Sequence, residues 1–278
     1  MAMPTILTYV GNPSDYKKEG VKLHDQKAAA GQIQVGVLVD CSGSTEDVNE
    51  DIQHELHRMV DAMQRNVILK GVVQLLVMTY NHNCGEPLVN KPLEKVTQAD
   101  IRLPKPAGAT DTGAAVARML QLMDQQKAAW RESGVPYFQP IMFLFTDGFP
   151  SAGNIAGESA SDRKARQNSV ESNYRAAASS IQTRLGERKL LFAAGGFQRE
   201  NGVSADMDKL SELTGGKYVY RIVNGGTGAG SDGINLDDFF NALVTMTCST
   251  VQGSSIDTLD DLMLGEVFSR GKKQTGGK

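Results

Sequence analysis

Cysteine is scarce. Cys41, Cys84 and Cys248 are odd in number and far apart in 278 residues, which argues against a disulfide framework and fits a reducing compartment. Basic charge is not in excess either: 29 Lys and Arg stand against 32 Asp and Glu, so no bulk field is present to neutralise a phosphate backbone, and nucleic acid is not expected as the main partner. No apolar run reaches the ~20 residues of a membrane-spanning helix, and Met1 to Gly20 holds charges and two prolines in place of a signal-peptide core. Together these absences lead to the expectation of a soluble, cytoplasmic protein without membrane insertion. No repeat at solenoid spacing is visible.

What is present is an alternation of short apolar runs with amphipathic stretches. Ile33 to Val39 is β-branched and ends on Asp40, as a strand buried on both faces does. From Val48 through Ile52, Leu56, Met59 and Met63 the apolar residues form one helical stripe, with Glu46 and Asp47 near its start. Further strands are predicted at Val72 to Met78, Ile141 to Phe145, Leu190 to Ala194 and Tyr218 to Val223. Helices are predicted at Thr110 to Trp130, through Val170, Tyr174, Ala177, Ile181 and Leu185, at Ala205 to Leu213 before Gly215, and at Leu236 to Met246. Pro87 to Pro106 reads as irregular. The pattern implies an α/β fold: a doubly wound, mostly parallel central sheet with helices on both faces and ligands at the carboxyl ends of the strands. The expected organisation is an N-terminal extension over 1–30, a folded domain over 31–250, and a flexible tail over 251–278 in which Ile256, Leu259, Met263 and Val267 have helical spacing.

The chemistry concentrates at three junctions. Asp40-Cys41-Ser42-Gly43-Ser44 follows the first strand and sets one carboxylate and two hydroxyls on one side of a tight loop, with Gly43 free to take unusual backbone angles. Gly108-Ala109-Thr110-Asp111 precedes a helix, and Thr146-Asp147-Gly148 follows a strand. An α/β sheet brings such junctions together above its strand ends. All the candidate ligands are oxygens, the donors that hard cations such as Mg²⁺ prefer. Taken singly, Asp and Ser in a loop also serve as helix caps.

Asp-x-Ser-x-Ser after a strand, a threonine before a helix and Thr-Asp-Gly after a later strand resemble the metal-ion-dependent adhesion site of von Willebrand factor A (vWA) domains, over roughly Gly31 to Cys248. The resemblance implies metal contacts from Ser42, Ser44 and Thr110, directly or through water, with Asp40 and Asp147 supplying charge close by. It implies Mg²⁺ as the cofactor, with Mn²⁺ or Ca²⁺ as substitutes, and an open coordination position that takes an Asp or Glu side chain of a partner protein. Within the family, Ala107 to Ala115 and the phrase Phe-Leu-Phe-Thr-Asp-Gly-Phe-Pro are similar to bacterial proteins associated with tellurium resistance and stress. Those are often encoded beside a protein kinase and a phosphatase, or in phage-defence clusters, so the resemblance implies an intracellular adaptor with such partners and no enzymatic activity of its own.

Other patterns are weaker. Gly228-Ala229-Gly230-Ser231-Asp232-Gly233 has the letters of a dinucleotide fingerprint but no following strand to complete the unit. His54 and His57 are three apart where a zinc-protease helix needs four, and read as surface residues. Asn81-His82-Asn83-Cys84 is expected as a loop near the site, and Cys41 as a small buried thiol. No Gly-x-x-x-x-Gly-Lys-Ser/Thr loop is present to hold a nucleotide. Gly148 to Asn168 is expected to form a long surface loop, running into a helix, that borders the site. A metal-assisted hydrolase using the same oxygens is the rival reading, and a structural domain with an empty site is a third.

Overall fold

A computed structural model describes residues 31–147, 150–154, 157–197, 206–216, 219–222 and 235–252. The extension expected over 1–30, the turn at Gly228 to Gly233 and the helical spacing at Ile256 to Val267 lie outside these residues.

The described strands are β1 (Ile33–Asp40), β2 (Val73–Tyr80), β3 (Val89–Pro92), β4 (Ile141–Thr146), β5 (Leu191–Phe197) and β6 (Val219–Ile222). They form one sheet in the order β3-β2-β1-β4-β5-β6. β1 pairs in parallel with β2 and β4, β4 with β5 and β5 with β6, while β3 runs antiparallel to β2 at the edge. All eight residues of β1 are buried, which is why its sequence is mostly apolar, with Gln34 and Asp40 as the exceptions.

Among the described residues six α-helices accompany the strands: α1 (Asn49–Arg65), α2 (Val67–Val72), α3 (Thr112–Glu132), α4 (Ala160–Gly186), α5 (Met207–Thr214) and α6 (Leu236–Val251). On one face of the sheet, α1, α2 and α6 bury Ile52, Leu56, Leu69 and Leu243 against Val35, Val37 and Phe143. Phe145 stacks on Phe240 there with ring centres 4.8 Å apart. On the other face, α3, α4 and α5 bury Met119, Tyr174 and Leu210 against Leu38, Leu76 and Leu144. Alternate side chains of each strand therefore feed two separate cores. The side chains that start the helices follow capping rules: Asp111 accepts from Ala114 N, Ser159 from Asp162 N, and Asn235 from Asp238 N. Gly215 closes α5 at φ +67°, the left-handed cap its position predicts.

Three features differ from the sequence reading. The region Pro87 to Pro106 contains β3 and two 3-10 turns, Leu93–Lys95 and Gln98–Asp100. Pro92 is tolerated because β3 is an edge strand, where a missing N–H costs no ladder bond. A separate helix, α2, follows α1 because Asn66 breaks the first helix and accepts hydrogen bonds from Ile68 N and Leu69 N. And α4 begins at Ala160, eight residues before Asn168, so the second half of the expected loop is helix.

Candidate functional site

The carboxyl end of β1 is the centre of the candidate site. Asp40 is fully buried, and both of its carboxylate oxygens are used: Oδ1 accepts from Ser42 N at 2.8 Å and Oδ2 from Thr146 Oγ1 at 2.7 Å. The second bond joins the end of β1 to the end of β4 across 106 residues of chain. The loop after β1 enters a 3-10 turn, Gly43–Val48, and Thr45 Oγ1 donates toward the carbonyls of Asp40 and Ser42. This arrangement sets the hydroxyls of Ser42 and Ser44 3.0 Å apart.

The second junction is tied to the first through its backbone. Ala107 N donates to Cys41 O at 2.9 Å, and Gly43 N to Gly108 O at 3.2 Å. Gly108 carries φ +79°, a conformation that favours glycine, and a Cβ there would stand 2.3 Å from Nδ1 of the exposed His82, which would have to move aside. Gly43, by contrast, is not among the glycines with positive φ, so the loop does not use the freedom expected of it. Thr110 is buried and lies outside α3, two residues before its first turn. It forms a two-bond antiparallel bridge with Ser151: Thr110 N to Ser151 O at 2.9 Å and Ser151 N to Thr110 O at 2.8 Å. Ser151 belongs to the segment after β4, so the expected bordering of the site by this segment holds for its described part.

The Asn81–Cys84 loop also borders the site. Asn81 Nδ2 donates to Ala107 O at 3.0 Å, and Asp111 N donates to Asn81 O at 2.9 Å. His54 is exposed, while His57 is half-buried with Nε2 2.8 Å from Ile101 O.

Electrostatically the site is an acid trap. Burial, and then the negative charge of Asp147, push the Asp40 carboxyl up from 3.8 to about 6, against the lowering effect of hydrogen bonds from Thr146 and Ser42. Asp147 is itself buried. The Cys41 thiol, pushed up to about 12 by burial and by Asp40, stays protonated and is a poor metal ligand. Tyr80, whose hydroxyl lies 3.2 Å from Thr112 Oγ1, is raised well above its ordinary value by burial and the Asp40 charge. Among the described residues no group of three or more His, Cys, Asp or Glu gathers, so hydroxyls make up the rest of the donor set.

That donor set suits a hard cation. It offers only oxygens, and two buried carboxylates leave a negative charge that a cation would neutralise. The Ser42 and Ser44 hydroxyls are hydrogen-bonded to each other at 3.0 Å, a separation compatible with the roughly 3.0 Å between neighbouring ligands of an octahedral Mg²⁺ with ligands at about 2.1 Å. Sequence reasoning identified Asp40, Ser42, Ser44, Thr110 and Asp147 but not the parts that hold them. Thr146 was legible as a hydroxyl beside Asp147; Ser151 carried no signal.

No family model and no curated protein matches the sequence. Among solved structures, the chain is similar to the vWF domain of a type V pilus tip protein from Porphyromonas gingivalis, with 10% identity, a TM-score of 0.53, and coverage of 82% of this chain and 98% of that one. It is also similar to proximal thread matrix protein 1 of the mussel byssus (15% identity, TM-score 0.46, 80% of this chain and 46% of that chain). A manganese-loaded TRAP protein from Plasmodium vivax gives 15% identity and a TM-score of 0.47 over 80% of this chain and 74% of that one. The chain thus spans less than half of the mussel protein, 46%. The likeness to the pilus-tip domain shows a vWA-like fold.

Proposed function

We propose that the protein is a binding module in which a divalent cation, held at the carboxyl ends of β1 and β4, captures an acidic side chain of a partner protein. The observation that carries this reading is the pair of hydroxyls, Ser42 and Ser44, 3.0 Å apart beside a carboxylate whose acid form is favoured by burial and by Asp147. Ser42, Ser44 and Thr110 would hold the ion, and Asp40 and Asp147 would balance its charge. When bound, the ion supplies a positive coordination position open to an external carboxylate.

The chain's own residues divide the work. Asp40 spends its oxygens on Ser42 N and Thr146 Oγ1, so its role is to fix the loop and contribute charge. The serine hydroxyls are neutral and leave the ion enough positive character to attract a carboxylate from outside. A narrower reading, an intracellular stress or tellurium-resistance adaptor joining a kinase or phosphatase to its target, rests on the resemblance of Ala107 to Ala115 and of the Phe143 to Pro150 phrase.

Titration with Mn²⁺ followed by electron paramagnetic resonance tests the proposal. One site per chain is expected, competed by Mg²⁺ and lost in Asp147→Asn. A wild-type protein that takes up no Mn²⁺ or Mg²⁺ at millimolar concentration would overturn it. Turnover of phosphate esters or peptides above background in the metal-loaded protein would favour the hydrolase reading instead.

A further inference from the structure

Of the candidate ligands, Thr110 has the least direct support. Asp40 ends a fully buried strand and Ser42 and Ser44 follow it directly in a hydrogen-bonded turn, whereas Thr110 lies in a segment between elements. Its backbone is held by the bridge to Ser151, so whatever fixes Ser151 fixes Thr110. The segment around Ser151 belongs to no helix and to no strand of the sheet.

Two side chains from the second turn of α4 hold that segment. Arg166 Nη1 donates to Ala152 O at 2.6 Å and Nη2 to Gly153 O at 3.4 Å. The same guanidinium makes a two-pronged pair with Glu158, Nε to Oε1 at 2.5 Å and Nη2 to Oε2 at 2.6 Å, and the Glu158 side chain is only 9% exposed. Gln167 Oε1 accepts from Ala152 N at 3.0 Å. Two turns further along α4, Asn173 Nδ2 donates to Asp111 Oδ2 at 2.9 Å. Helix α4 therefore holds the surroundings of Thr110 on both sides, at Ala152 and Gly153, next to its bridge partner Ser151, through Arg166 and Gln167, and at Asp111 through Asn173.

We infer that Arg166, with Glu158 and Gln167, is a positioning residue for the Thr110 corner of the site: it orders the Ser151 segment before any ligand arrives. The part of this inference that concerns metal rests on the binding-module reading above. A fork suits the task because one planar guanidinium makes a two-pronged bond to the Glu158 carboxylate while reaching two carbonyls, four hydrogen bonds where an ammonium group has three donors and no fork. Ordering in advance removes an entropic cost that metal or partner binding would otherwise carry.

The test uses the full chain. Amide hydrogen exchange at Thr110 and Ser151, in metal-free protein, is compared among wild type, Arg166→Met, Arg166→Lys and the control Arg163→Met, an exposed arginine on the same helix. Amides of β1 serve as the reference for global unfolding. In Arg166→Met, exchange at Thr110 and Ser151 should rise at least tenfold while β1 is unchanged, with Arg166→Lys in between and Arg163→Met like wild type. Mn²⁺ affinity should fall about tenfold in Arg166→Met, the low end for losing a residue that orients a ligand. Unchanged exchange at Thr110 overturns the positioning role, even if Mn²⁺ binding weakens, because the effect would then be one of charge alone. An equal response in Arg163→Met overturns it too. The exchange measurement needs no metal, so failure of wild type to bind Mn²⁺ removes the functional reading and leaves the positioning role to stand or fall on Thr110.

Discussion

Replacing Asp40 by Asn should make the metal-free protein more stable at neutral pH. In the folded state burial and Asp147 hold the Asp40 carboxyl at about 6 against 3.8 for an unperturbed one, so the folded form binds that proton more tightly than the unfolded form. The stabilisation from the protonated acid is complete below about pH 4 and is lost as pH rises to about 6 and beyond. Holding the carboxyl at about 6 in place of 3.8 means that ionised Asp40 costs the metal-free fold about 3 kcal/mol. Asparagine removes the charge and keeps the geometry: its oxygen can accept from Ser42 N, and its amide can donate to the Thr146 hydroxyl. In EDTA at pH 7.5, Asp40→Asn should therefore melt higher than wild type by on the order of 6 °C. The two melting curves should converge near pH 4. Millimolar Mg²⁺ should reverse the order, raising the Tm of wild type but not of the variant, since a ligand stabilises only a fold that binds it. The assay is thermal denaturation followed by circular dichroism from pH 4 to 8, with and without the metal. A variant that is less stable than wild type at pH 7.5 in EDTA would refute the reasoning, as it would mean that Asp40 stabilises the empty fold through its hydrogen bonds more than its charge destabilises it.

Other expectations follow from contacts away from the carboxylates. At Gly113 an added Cβ would lie 2.2 Å from the backbone carbon of Asn173 and 2.3 Å from Tyr174 N, so Gly113→Ala should push α4 off α3 and cost about 3 kcal/mol, read as a lower urea midpoint; an unchanged midpoint would contradict the close packing. Asn66→Ala removes the acceptor for Ile68 N and Leu69 N and the donor to Cys248 Sγ, and should cost about 1 kcal/mol without altering Mn²⁺ affinity. Arg184 first, and Lys127 after it, hold the Asp124 carboxyl down at about 2, so its contribution is present above about pH 4 and disappears as pH falls toward 2. Because that side chain is 44% exposed, Asp124→Asn should lower stability at pH 7 by less than about 1 kcal/mol and make no difference at pH 2; a loss of several kcal/mol would mean that the pair bears more of the α3–α4 contact than its exposure implies.

The sequence alone determined the alternation of strands and helices and pointed to the candidate donors of the site, because both readings rest on local causes. A strand buried on two faces is mostly apolar, so β1, despite Gln34, and β4 and β5 were legible. A carboxylate and two hydroxyls at alternate positions after such a strand can also be capping residues, and it was their coincidence with the Thr110 and Asp147 junctions that made Asp40, Ser42 and Ser44 candidates. Elements with one exposed side, such as the four-residue edge strand β3 and the polar first turns of α4, send no such signal. The tertiary structure decided how the junctions are fastened: Thr146 to Asp40, Ser151 to Thr110, Arg166 to the backbone of Ala152 and Gly153. It also moved the need for a special glycine from Gly43 to Gly108, where His82 lies against the chain. These bonds join positions brought close only when the sheet is assembled, and a hydroxyl or guanidinium reads the same in sequence whether it faces water or a buried carbonyl.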